Sequence, residues 1–170
     1  MTDTRRRTIA GVSASMLLLA SCSSASEDVG GQSPTTSADA PSSTSDASTV
    51  VGTVVRFRND RQTVDVVMDN NTAATADLVA MLPLTLTIDD FASSEKVAYL
   101  PRELNHAGTP GSDPDNGDFV YYVPWGNLVF YYDATGIEFS EDTLHLGTFD
   151  ATAEQLARLE GGIVTAEVAT

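Results

Sequence analysis

The stretch "GDFVYYVPWGNLVFYYD", Gly117 to Asp133, holds seven of the chain's twelve aromatic residues and its only Trp. Its alternation puts Phe119, Tyr121 and Val123 on one face of a first strand, with Val120 and Tyr122 on the other. In a second strand Leu128, Phe130 and Tyr132 oppose Val129 and Tyr131. Between them Pro124 suits the second position of a type I turn, and Gly126 suits the left-handed residue that follows such a turn. The spacing predicts a hairpin whose rings are mostly core or half-buried sheet face. Trp125 is the exception, because it stands at the turn, where core packing needs it least.

Working outward, "TVVGTVVRF" and "QTVDVVM" are β-branched runs separated by the polar "RNDRQ", the pattern of two antiparallel strands and a hairpin. Val55 and Phe57 share a face with Thr53, while Val54, Arg56 and Arg58 take the other. In "DNNTAATADLVAMLP", Asn70, Asn71 and Thr72 can each accept a backbone N–H at a helix start. Ala74, Leu78, Met81 and Leu82 then recur at helical spacing until Pro83. "LTLTIDDF" alternates as one strand with Leu84, Leu86 and Ile88 on a face, and "KVAYLP" and "TLHLGTFD" read as two more. "TAEQLARLEG" predicts a second short helix carrying Leu156 and Leu159 and stopped at Gly161 or Gly162, and "IVTAEVA" is a last strand. Many short strands and two short helices predict a mainly β, closed antiparallel barrel.

The N-terminal fifty residues are different in kind. Arg5, Arg6 and Arg7 precede "IAGVSASMLLLA", an apolar run too short for a stable membrane span, which is the grammar of a signal peptide over residues 1–21. "LASC", Leu19 to Cys22, resembles the lipobox at which bacterial lipoprotein precursors are acylated and cut, and the resemblance implies lipidation of Cys22. Cys22 is the only cysteine, so no intramolecular disulfide competes for it. The paired arginines also allow export by the twin-arginine route beside general secretion, although "RRTIA" matches it poorly. Residues 22–49 are almost wholly Ser, Thr, Ala, Asp, Gly and Pro, a composition that cannot offset ordering entropy and predicts a flexible tether with an end-to-end distance of about 30 Å. Residues 50–170 form the folded domain. The expected localisation is the cell membrane, lipid-anchored on its extracytoplasmic face.

The formal net charge is −15 for 170 residues. Loss of residues 1–21 removes three of nine basic and one of 24 acidic residues, leaving −17. Such a polyanion is an unlike partner for nucleic acid, and attachment to anionic lipid has to come from acyl chains.

A helix opening near "DNNTAA", the "LPLTLT" after it, and above all the Tyr-Tyr-x-Pro-Trp-Gly-Asn block with a later "LGTFD" resemble the small prokaryotic cyclophilin-like fold proteins. The resemblance spans Val50 to Val168 and implies a closed β-barrel with helices over its ends. True cyclophilins carry an arginine in a Phe-His-Arg context on the strand after the first helix, followed by a Gln-Gly-Gly-Asp segment. Here that strand is "LTLTIDDF", with neither Arg nor His, and Gly117, Asp118 and Phe119 echo the second motif from another part of the chain. If isomerase chemistry survives, Arg102 is the candidate guanidinium, with Arg56 as another source.

His106 and His145 lack zinc spacing and read first as structural histidines. "SDPDNGD" offers Asp113, Asp115, Asn116 and Asp118 as oxygen ligands without the EF-hand spacing, so a solvated turn is the reading, with Asp113 and Asp115 the pair to test. No GxSxG elbow, mature thiol or phosphate-cradling Gly-rich loop is present. The sequence thus predicts no cofactor and no metal. It predicts a non-enzymatic peptide- or small-ligand-binding module with Trp125, Tyr122, Tyr131, Arg102 and His106 as ligand-facing candidates. The alternative is a weak peptidyl-prolyl isomerase acting on exported proteins, and a third reading is an envelope-assembly subunit.

Overall fold

Val55 and Phe57 point inward from β1 (Val54–Arg58) and are wholly buried, while Arg56 and Arg58 on the opposite face reach solvent. That division, set by the two-residue repeat of a strand, recurs through the computed structural model of the chain, which describes residues 49–170. The expected signal peptide, Cys22 and tether lie outside the described residues. Eight further strands follow: β2 (Thr63–Met68), β3 (Leu84–Leu86), β4 (Asp89–Phe91), β5 (Glu95–Tyr99), β6 (Asp118–Tyr122), β7 (Asn127–Tyr131), β8 (Thr143–Phe149) and β9 (Val164–Val168). They form one antiparallel sheet in the order β3-β9-β1-β2-β8-β6-β7-β5-β4.

Helix α1 (Ala73–Met81) starts at Thr72, whose hydroxyl accepts the Thr75 N–H at 3.3 Å. The Asn70 carboxamide oxygen accepts from both Thr72 and Thr75, which fixes the entry of the chain. Helix α2 (Ala153–Ala157) starts with a reciprocal capping box between Thr152 and Gln155. Both helices pack on the inner face of the sheet, where Ala74, Leu78, Leu156 and Leu159 join Phe57, Met68, Phe119, Tyr121, Phe130, Leu144 and Leu146 in the main core. Phe57, Phe119, Phe130 and Phe149 form a chain of edge-to-face and tilted ring contacts at its centre. Among the described residues the core runs from Val55 to Ala166, within the unit Thr44–Thr170.

The sheet is mainly β and antiparallel as expected, but it is not the closed barrel of the sequence reading: it is a curled, open half-barrel. Its terminal strands, β3 and β4, do not pair with each other. The cause lies in "LTLTIDDF". Rather than one strand, it is two three-residue strands that sit at opposite edges of the sheet, β3 bonded to β9 and β4 to β5. Thr87 and Ile88 carry the chain from one edge to the other, and Ile88 is buried in the main core. Three Cα steps from Leu86 to Asp89 hold the edges within about 11 Å there. Side chains supplement the missing ladder: the Lys96 ammonium on β5 pairs with Asp90 of β4 and, at 2.6 Å, with Glu160 between α2 and β9. Burial opposes the Lys96 charge, and the bonds to Asp90 and Glu160 outweigh it, so its pKa is raised.

Candidate functional site

The aromatic hairpin supplies both faces of the sheet with cover. Phe119, Tyr121, Leu128 and Phe130 enter the main core, and Val120, Val129 and Tyr131 join Val97 and Ala134 in a second, smaller cluster on the outer face, with Tyr122 packed against it. Between the strands Val123–Trp125 form a single 3₁₀ turn, and Gly126 closes it in the left-handed region at φ 63°. The turn carries Trp125 out to the outer face, 46% exposed.

There the molecule has a cleft of about 280 Å³, with Val129, Tyr131, Asn127 and Thr143 among its sheet residues, Tyr122 and Trp125 from the hairpin, Phe91 and Glu95 from β4 and β5, and Ile137, Glu138 and Ser140 from the loop before β8. The Trp125 ring meets Phe91 edge-on at 5.1 Å and Tyr122 edge-on at 5.5 Å, so three rings shape one wall. The loop wall is held by reciprocal backbone bonds between Ser112 and Ser140, at 3.0 and 3.2 Å, and by the Ser112 hydroxyl donating to the Thr143 carbonyl at 2.8 Å. That fit needs Gly111: a Cβ there would lie 2.3 Å from the Ser140 carbonyl oxygen and 2.5 Å from Glu141 Cα. Apolar side chains continue beyond the cleft, with Phe139 in the same loop and Tyr99 opposite Asn127 in the strand register, both more than half exposed.

Asn127 is the anomaly of the site. It is 0% exposed, and neither its carboxamide oxygen nor its nitrogen has a hydrogen-bond partner among the described residues. Leaving a buried polar group unpaired costs about 1–3 kcal/mol, so this side chain holds an unmet demand for one donor and one acceptor. Towards the other end of the cleft, where Glu95 pairs in register with Tyr131, burial pushes the Glu95 carboxyl above the usual carboxylate range, the Tyr131 hydroxyl working against that shift and the Asp90 charge adding to it. Burial, with the Glu95 charge second, raises the Tyr131 phenol as well. Among the described residues no Arg, Lys or His lines the cleft. The arrangement can bind and orient; it offers an apolar wall, a buried carboxamide and two carboxyl groups.

Of the five ligand-facing candidates from the sequence, Trp125, Tyr122 and Tyr131 meet in this cleft and two do not. Arg102 forms a two-pronged pair with Asp77 of α1, at 2.6 and 3.0 Å, and donates to the Glu103 carbonyl. The guanidinium hydrogen bond holds the Asp77 carboxyl below its usual range, and Asp77 also accepts the Asn105 N–H. His106 stands near the Tyr121 ring, at 6.4 Å between centroids, on the far side of the sheet from Trp125. Arg56 is paired with Asp65 across the first hairpin. His145 on β8 has Asp69 at 2.8 Å and Asp118 at 3.5 Å from its ring nitrogens. In the Asp-rich turn, Asp118 accepts the Asp115 N–H and Asn116 the Ala134 N–H. Among the described residues no group of three His, Cys, Asp or Glu is placed to hold a metal ion, and no helix is long and apolar enough to cross a membrane.

Sequence reasoning missed Asn127, Glu95, Phe91 and Thr143. One signal was available: by alternation Asn127 shares the face of Val129 and Tyr131, and an Asn on such a buried face demands an explanation.

Comparison with known proteins bears on the fold. The sequence model described as the Cyclophilin-like family matches residues 57–168, about two thirds of the chain. The chain belongs to the Cyclophilin-like family. A solved structure with the same fold is the solution structure of the hypothetical protein AF2241 from Archaeoglobus fulgidus, at a TM-score of 0.56 and 15% identity, with 72% of this chain and 98% of that one covered. At that identity the likeness speaks for the cyclophilin-like fold alone. A search of curated proteins finds no match. The matched region contains all eleven residues of the cleft.

Proposed function

We propose that this protein is a membrane-tethered, extracytoplasmic cyclophilin-like lipoprotein that binds a peptide or small ligand in its outer-face cleft without transforming it. The observation that carries the binding reading is Asn127, whose fully buried carboxamide has no partner among the described residues beneath an aromatic wall. A peptide amide presents one donor and one acceptor, the complement of a carboxamide, and the rings offer apolar area to a flanking side chain. The absence of a cation among the lining residues favours binding over isomerase chemistry, which relies on a guanidinium aimed at the twisted amide; Arg102 is engaged with Asp77 instead.

N-acetyl amino-acid N′-methylamides are minimal peptides for the test. Titrated into the Thr44–Thr170 unit, at least one member of the full side-chain set is expected to change Trp125 emission saturably and to move the Asn127 side-chain amide resonances. Unchanged signals across the set would remove the reading. The location rests on "LASC" and the Ser/Thr/Ala-rich segment after it. Cells expressing the full chain are expected to incorporate labelled palmitate into it, and Cys22→Ser is expected to abolish both label and membrane retention. An unlabelled wild-type chain would overturn the anchor.

A further inference from the structure

The cleft's charge and ring geometry define its ligand more narrowly than an amide alone. Its two ionisable lining groups besides the phenols are both acids, Glu95 on β5 and Glu138 in the loop wall, and no base faces them. The nearest lysine along the strand, Lys96, points to the opposite face and is spent on Asp90 and Glu160. Burial disfavours the charged form of Glu95, a penalty that an incoming cation relieves and an incoming anion compounds. Three aromatic rings stand about the mouth, Trp125 edge-on to both Phe91 and Tyr122. Aromatic rings in the same cavity as carboxylates are surroundings that hold an alkylammonium, through its attraction to the ring quadrupole and to the acids. The unpartnered Asn127 carboxamide is independent of these charges and marks the same cavity as a place for a ligand.

We infer that the ligand bound in this cleft carries an organic ammonium group, which sits against Trp125 and Tyr122 and faces Glu95 and Glu138, while an amide of the same ligand pairs with Asn127. The inference rests on the binding reading above and adds the charge class. A lysine side chain of a peptide and a free alkylamine share this chemistry, and only the first also supplies the amide.

The test compares four probes on the Thr44–Thr170 unit by Trp125 emission: N-acetyl-lysine N′-methylamide, its neutral isostere N-acetyl-norleucine N′-methylamide, the glutamate counterpart, and butylammonium chloride at matched ionic strength. The lysine probe is expected to bind at least roughly tenfold tighter than the norleucine probe, and the glutamate probe not at all. Butylammonium binding as tightly as the lysine probe would assign the site to free amines, and weaker binding to peptides; either supports a cation. Glu138→Gln, in an exposed loop where folding is not at stake, is expected to cost the lysine probe several-fold and leave the norleucine probe unchanged. Equal or tighter binding of the norleucine probe overturns the cation inference and leaves the binding reading standing. Failure of these four while another methylamide binds does the same, whereas silence across the whole methylamide set removes both.

Discussion

Replacing Asn127 by Leu is expected to stabilise the protein while removing its ligand. The wild-type carboxamide is wholly buried with two unpaired polar atoms. Each such group costs about 1–3 kcal/mol when unsatisfied, and a buried leucine adds about 1.5–3 kcal/mol of transfer free energy relative to an exposed one. Against this, the larger side chain must enter a site whose register partners are Tyr99 and Tyr122, and overpacking costs about 1–3 kcal/mol. The cleft lies on that side and gives room, so the net expectation is a gain of about 1–3 kcal/mol, or a melting temperature higher by about 4 °C per kcal/mol. Urea denaturation read by circular dichroism measures it, with an unchanged denaturant slope showing that the unfolding transition is the same one. Methylamide probes should lose their effect on Trp125 emission in this variant. A loss of 1 kcal/mol or more in stability would refute the reasoning, because it would mean that the carboxamide is satisfied and holds the strand rather than waiting for a ligand. Asn127→Asp supplies the converse: a buried carboxylate without a partner should be clearly destabilising at neutral pH and less so in acid.

Three further outcomes follow from the geometry. Gly111→Ala should cost about 1–3 kcal/mol and weaken probe binding, since its Cβ would press on the Ser140 backbone and displace the cleft wall; wild-type stability with wild-type affinity would show that the wall gives freely. Arg102→Ala should loosen the Arg102–Asp77 link to α1 with little loss of stability and leave methylamide affinity unchanged. In a protease-coupled assay both wild type and this variant should show uncatalysed prolyl isomerisation, and activity lost on removing Arg102 would revive the enzyme reading. On acidification, Asp65, Asp77 and Asp90, each held low by a hydrogen bond from Arg56, Arg102 and Lys96 respectively, contribute stability that is present above about pH 4 and lost as pH falls through their folded values. Glu95, held high, acts with the opposite sign: its share is present at low pH and lost as pH rises from about 4.3 towards its folded value. With more carboxyl groups held low than high, urea midpoints should drop from pH 5 downward, and Asp90→Asn should flatten the slope.

The hairpin was readable because strand periodicity, Pro124 and Gly126 all pointed the same way, and the structure places a turn with a left-handed Gly126 there. Both helices were readable from Leu78, Leu156 and Leu159 at helical spacing, all now in the core. The open edge was not, because "LTLTI" alternates straight through Thr87 and Ile88 and nothing there marks a crossing; which edge a strand joins is decided by partners about eighty residues away, as in the register of Leu84 with Ala166. At the site, Trp125 was legible through its place at a turn. Glu95 and Phe91 were not, since their approach to Trp125 depends on the pairing of β5 with β7, a long-range contact that composition does not encode. Arg102 and His106 were drawn in by residue type, and it is the pairing with Asp77 and the packing by Tyr121 that set them apart from the cleft.

The position of β9 between β1 and β3 has a consequence for how the chain matures. Val168 is the register partner of Val55, so the first and last strands of the domain are neighbours, and neither β1 nor β3 has its full set of ladder bonds until β9 is in place. Pairings this distant in sequence form late and slowly. A chain threaded across a membrane from its N-terminus would emerge with β1 and β2 waiting for a strand still on the other side, its hydrophobic hairpin open to proteases and to other strands until β9 arrives. In such a passage the ladders of β1 and β3 would be completed only on the arrival of β9.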